Sequence, residues 1–96
     1  MNFKALDPII HSPLRLAVMS ILMEMREADF ILLRERTGAT AGNISAQINK
    51  LKEAGYVQVV KGFRDNYPRT LCKITSKGSV AFEEYQQALQ SFLKPG

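Results

Sequence analysis

Of 96 residues only Cys72 is a cysteine, and tryptophan is missing altogether. One thiol builds neither an intrachain disulfide framework nor a cysteine-based metal cage, and an isolated cysteine in a β-rich run is most often a small buried hydrophobe. Long apolar runs are also missing. No stretch reaches the ~18 uninterrupted apolar residues of a membrane span, and Met1 to Ile10 has no basic start leading into a long apolar run. The chain is therefore expected to be cytoplasmic and to have no membrane partner. No low-complexity segment and no solenoid-length repeat interrupts it. Signatures of catalysis are lacking as well: there is no phosphate-binding glycine loop, no paired-carboxylate pattern and no metal-ligand spacing. His11 stands beside Ser12, but adjacent residues rarely converge as nucleophile and base, and no third orienting acid accompanies them. No catalytic residue, cofactor or metal is expected.

Acidic residues are scarce where basic ones gather. Between positions 50 and 77, Lys50, Lys52, Lys61, Arg64, Arg69, Lys73 and Lys77 face only Glu53 and Asp65, a net +5, so the other residues together carry −1 of the chain's +4. A local surplus of this kind suits phosphate contacts, where release of condensed counterions supplies the sequence-independent part of binding. By itself it also describes a merely solvated face. What tips the balance is the pattern of elements around it.

Ser12-Pro13 marks a helix start, a capping hydroxyl before a proline at the first helical position, and the helix is expected to run to about Arg26. Leu14, Ala17, Val18, Ile21, Leu22 and Met25 fall on one core-facing stripe, and Leu16, Met19 and Met23 make a second. Asp29 is placed to cap a second helix, with Phe30 and Leu33 inward, that ends at Gly38. Thr40 then caps a third helix in which Ile44, Ile48 and Leu51 point to the core. Its other face is short and polar: Gly42, Asn43, Ser45, Ala46, Gln47, Asn49 and Lys50. Gly55 ends it. Tyr56 to Val60 reads as a strand, Gly62 to Pro68 as a loop, and Arg69 to Ile74 as the returning strand. Thr75 caps a last helix from Ser76 to about Leu93, whose stripe of Phe82, Tyr85, Leu89 and Phe92 has little left to cover in so small a core. Helix, turn, helix and basic hairpin in this order make a device for entering a groove of DNA.

Several phrases carry a resemblance: Leu6-Asp7-Pro8-Ile9-Ile10-His11-Ser12-Pro13-Leu14-Arg15, Gly42-Asn43-Ile44-Ser45, Leu51-Lys52-Glu53-Ala54-Gly55-Tyr56-Val57 and Ile74-Thr75-Ser76-Lys77-Gly78. Together they resemble the compact winged-helix transcriptional regulators related to the MarR and ArsR groups, over almost the whole chain. The resemblance implies a mostly helical α+β domain, a winged helix-turn-helix over 12–75 with a two-stranded β-wing, followed by a C-terminal dimerisation helix over 76–94. It implies a homodimer on double-stranded DNA, one recognition helix per subunit in successive major grooves of a roughly palindromic site and the wings on the flanking backbone or minor groove, with no enzymatic activity. Asn43, Ser45, Gln47 and Lys50 match exposed recognition-helix positions, and Lys61, Arg64 and Arg69 match the wing; Thr40 and Asn49 complete the expected DNA-binding set. Ala46 departs from the pattern, since many MarR-like members carry a base-reading arginine there, and this shifts the reading onto Gln47, Asn49 and the wing. ArsR-type metal sensing is not carried over, because the cysteine pair is absent. Leu16, Met19, Phe82, Tyr85, Leu89 and Phe92 are the expected dimer contacts. In the family small ligands sometimes lodge between subunits, so a small-molecule effector belongs among the conceivable partners, and no residue identifies one. Repression by blocking a promoter is the expected mode. The competing readings are a protein-interaction module and a nonspecific architectural DNA binder.

Overall fold

Pro13 sits at the first position of α1 (Pro13–Met25), where its missing N–H leaves no bond unmade. Ser12 occupies the cap with extended backbone, but its hydroxyl makes no capping bond, contrary to expectation. The computed structural model describes residues 3–94. After α1 the chain runs through β1 (Glu27–Asp29), α2 (Phe30–Thr37), α3 (Ala41–Glu53), β2 (Val57–Arg64), β3 (Tyr67–Ile74) and α4 (Ser76–Leu93). The core gathers Val18, Met19 and Leu22 of α1, Leu33 of α2, Ile44 and Leu51 of α3 and Cys72 of β3, all fully buried. Cys72 thus behaves as the small hydrophobe expected of it. Burial pushes its thiol up to about 11, with the negative charge of Asp29 adding to the rise.

The sheet contains the expected two-stranded wing, the β2–β3 hairpin, and one strand more. It has three antiparallel strands in the order β1-β3-β2, because the three residues between α1 and α2 pair with β3 in the register Glu27↔Lys73, Ala28↔Cys72 and Asp29↔Leu71. The expected loop from Gly62 to Pro68 is a correction. The β2–β3 ladder continues through Gly62↔Arg69 and Phe63↔Pro68 to Arg64↔Tyr67, and only Asp65 and Asn66 turn, at φ 51° and 67°. Positive φ at both central residues is what a tight type I′ hairpin requires, and Asp and Asn tolerate it better than most residues. Pro68 fits in β3 because β1 covers only Leu71 to Lys73, so the other edge of β3 is open at position 68 and no ladder N–H is missed.

Expectation also fails for part of the apolar stripe on α4. Phe82, Tyr85 and Ala88 are buried by the chain itself, and so is Met19. Met19, Phe82 and Tyr85 are therefore core residues of one subunit and unavailable to a second, while Leu16 and Leu89 are half-buried against the same core. Phe92 remains 43% exposed and Leu93 64% exposed at the end of the helix, where Phe92 stacks on Phe3 with ring centroids 4.7 Å apart.

The segment before α1 is pinned, which accounts for the phrase around Asp7. The Asp7 carboxylate accepts the Ile9 N–H at 2.8 Å and the Tyr56 hydroxyl at 2.5 Å. His11 Nδ1 and the Tyr85 hydroxyl share a hydrogen bond of 2.9 Å, and Ile10 is fully buried between these anchors. The hydrogen bond to Asp7, and then burial, push Tyr56 up from 10.0 to about 12. The folded state thus favours the neutral phenol, so the stabilisation is complete below pH 10 and is lost as pH rises through about 12. Tyr56→Phe is expected to lose less stability than the wild type between pH 10 and 12, measured as urea midpoints across that range; parallel alkaline limbs would contradict it.

Candidate nucleic-acid interface

Local chemistry sets the angle at which α3 is presented. Asp29 caps α2 by accepting the Leu32 N–H at 2.8 Å, and Gly38 ends it in the left-handed conformation, φ 70°, returning its N–H to the Arg34 carbonyl. Two residues later Thr40 accepts the Asn43 N–H at 3.2 Å and starts α3. Ile44, Ile48 and Leu51 then lock the inner side of α3 into the core. Gly42, Asn43, Ser45, Ala46, Asn49 and Lys50 are exposed, and none is large and apolar.

Gln47 is the exception among the expected reading residues. It is half-buried on the flank turned to α1, where its Oε1 accepts from Arg15 Nη1 at 2.6 Å and its Nε2 donates to Asn43 Oδ1 at 3.2 Å. Arg15 also donates through Nε to the Ile9 carbonyl at 2.5 Å. One guanidinium therefore ties the N-terminal segment, α1 and the amide pair of α3 together. Sequence reasoning missed Arg15, although a signal was present. Arg15, Val18, Met19 and Leu22 fall at i, i+3, i+4 and i+7, and a charge at the head of a core stripe needs a partner.

The other flank of α3 faces the sheet. Ser45 and Asn49 line an open cleft with Lys61 and Thr70, and Phe30, Ile48, Val59 and Cys72 form its apolar part. The structure thus brings Ser45, Asn49 and Lys61 together, with Thr40 and Asn43 at the helix start and Lys50 further along. Arg64 is exposed near the hairpin tip. Arg69 differs: it is half-buried on β3, with Nε 3.9 Å from the Asp29 carboxylate, so part of its charge is spent within the chain. A partly exposed pair at that distance contributes ~0–1 kcal/mol.

Among the described residues no group of three His, Cys, Asp or Glu side chains could hold a metal ion, and no helix is long and apolar enough to cross a membrane.

The family model described as a winged helix DNA-binding domain matches residues 14–93. The chain belongs to that family. An uncharacterised protein of Methanocaldococcus jannaschii is similar to this winged-helix chain, 34% identical over 77 residues that cover 80% of this chain and 84% of that protein. The transcriptional regulator homologue of Pyrococcus horikoshii OT3 superposes with a TM-score of 0.83 at 29% identity, over 88% of this chain and 84% of that one. The structure of NadR in complex with 4-hydroxyphenylacetate gives a TM-score of 0.73 at 21% identity, over 90% of this chain and 63% of that one. At that identity the likeness carries the fold alone. With the family and the Pyrococcus structure together, this winged helix is a DNA-binding regulator.

Proposed function

We propose that the winged helix binds double-stranded DNA as a homodimer, reads sequence with α3, and represses by occupying promoter DNA. The observation that carries this reading is the exposed face of α3. It offers amides, hydroxyls and Lys50 without an apolar anchor, beside a hairpin that bears Lys61 and Arg64. Asn43 and Asn49 have the donor and acceptor pairs that match an adenine edge, Ser45 donates to a base or phosphate, and the cations neutralise phosphates. Gln47 enters through the Arg15 bond as part of the same surface: with its carbonyl held, its amide orients Asn43. Thr40 lies at the N-terminus of α3, the end that approaches base edges in helix-turn-helix docking.

The reading of a dimer is supported by the far end of the molecule. Phe92 and Leu93 of α4 and Phe3 beside them are exposed apolar residues grouped in one place, and the half-buried Leu16 and Leu89 lie nearer the core. Leu93→Glu is expected to convert a dimer to a monomer in light scattering and to weaken DNA binding about as much, while the fold persists because Leu93 is 64% exposed. A wild type that is already monomeric would remove the dimer from this reading.

The test of the function is a footprint. Duplexes retained by the protein from a random-sequence library should share a roughly palindromic site with two protected halves about 10 bp apart. A library that stays random after selection would refute sequence-dependent binding.

A further inference from the structure

The outer end of the hairpin carries an aromatic residue that the core does not use. Phe63 is 78% exposed and lies one residue short of the last pair of the ladder, opposite Pro68. Side chains alternate between the two faces of a strand, so Phe63 shares its face with Lys61 and Val59, the residues of β2 that line the cleft against α3. Tyr67, also exposed, sits opposite Arg64 and falls on the other face. The side of the wing turned to α3 therefore ends in the Phe63 ring beside Pro68, with the cation of Lys61 two residues before it, while the neighbouring Arg64 lies on the other face with Tyr67.

We propose that Phe63 is an apolar wedge that enters the minor groove of duplex DNA next to the groove occupied by α3 and partly unstacks one base step there. This rests on the DNA-binding reading above and adds a residue and a deformation to it. Charge complementarity selects the occupant: the exposed cations of Lys61 and Arg64, one on each face of the strand that carries the ring, meet phosphates while the ring meets stacked apolar bases. Phe is among the side chains that open base steps from the minor groove, and that groove, ~6 Å wide, admits a side chain more readily than a strand. The two-residue turn at Asp65 and Asn66 keeps the tip narrow, and the paired strands fix the backbone that carries the ring, so little backbone order has to be imposed on contact. Asp65 at the apex is repelled by phosphate, which directs entry to the Phe63 side chain and not to the turn. The consequence is indirect readout: sequences whose flanking steps unstack readily, such as TA and CA/TG, are preferred at positions that no hydrogen bond reads.

The test uses a duplex recovered from a random library by the wild-type protein, labelled at both ends for energy transfer and carrying 2-aminopurine at successive flanking steps. Wild type is expected to raise 2-aminopurine fluorescence at one step per half-site and to shorten the end-to-end distance. Phe63→Leu should keep both signals, whereas Phe63→Ala should keep the footprint, lose both signals and bind roughly tenfold more weakly. A wild-type complex with no unstacked step, or Phe63→Ala unstacking as wild type does, overturns the wedge and leaves the DNA reading intact. A protein that retains no duplex from the library overturns both.

Discussion

Gly78→Ala is expected to remove about half or more of the folding free energy at 25 °C, leaving roughly 1–4 kcal/mol. Gly78 is buried in the first turn of α4, and a Cβ there would lie 2.2 Å from the Tyr56 carbonyl oxygen and 2.9 Å from its carbon. These are backbone atoms, so no side-chain rotation relieves the overlap. Nor is that carbonyl free to retreat, because it accepts the Thr75 N–H at 3.0 Å, while Thr75 Oγ1 donates to the Gly55 carbonyl at 2.6 Å and accepts the Gly78 N–H at 3.0 Å. Moving one partner loosens the whole joint between the α3–β2 turn and α4. Overpacking costs 1–3 kcal/mol where side chains can shift, so against fixed backbone about 4 kcal/mol is a reasonable size. A domain this short has roughly 5–8 kcal/mol in total. Gly42→Ala is the control. It has no atom within 4 Å of the added carbon and an ordinary helical backbone, so it is expected to stabilise by about 0.5–1 kcal/mol. Urea denaturation followed by circular dichroism checks both, and equal midpoints for Gly78→Ala and wild type would contradict the packing account.

Removing the two wing cations together should reduce DNA affinity on the order of a hundredfold at low salt. Lys61 and Arg64 are both exposed, and on a dimer the double alanine variant deletes four contacts. Each phosphate contact contributes about 0.9 to the slope of log affinity against log salt, so the slope should flatten by between three and four. The loss should be nearly the same on every duplex, because phosphates carry no sequence. Arg69 was left out of this variant because Asp29 shares its charge. An unchanged slope would show that the wing does not lie on the backbone, whereas a loss confined to one sequence would make these side chains base readers.

The helices and all of their expected caps but Ser12 were legible because each rests on a local signal. Leu33, Ile44, Ile48 and Leu51 occupy helical spacings that need no knowledge of neighbours, and Asp29, Gly38, Thr40 and Thr75 act within one turn of themselves. Strand β1 was not legible. Three residues are too few for alternation, and Ala28 becomes a strand residue only because β3 lies beside it. Gly62 and Pro68 look like loop residues in isolation, and they are tolerated in strands because the outer part of the hairpin has an open edge. The apolar stripe of α4 was real, but periodicity says that a face is covered and not by what. Phe82 and Tyr85 proved to be covered by their own subunit, and Leu93, outside the stripe, is among the most exposed apolar residues. In the candidate site the polar face of α3 was readable from spacing. The bond between Arg15 and Gln47 joins residues 32 positions apart, a separation at which a single sequence offers only the oddity of a charge in a core stripe.

Sequence-dependent binding to duplex DNA is the centre of the account, and competition anisotropy tests it most directly. A labelled duplex selected by the protein is titrated at two salt concentrations, with unlabelled selected and scrambled duplexes of equal length as competitors. The account predicts weaker binding at the higher salt and, at both, preference for the selected duplex by on the order of a thousandfold or more. Equal competition by the scrambled duplex at both salts would contradict it.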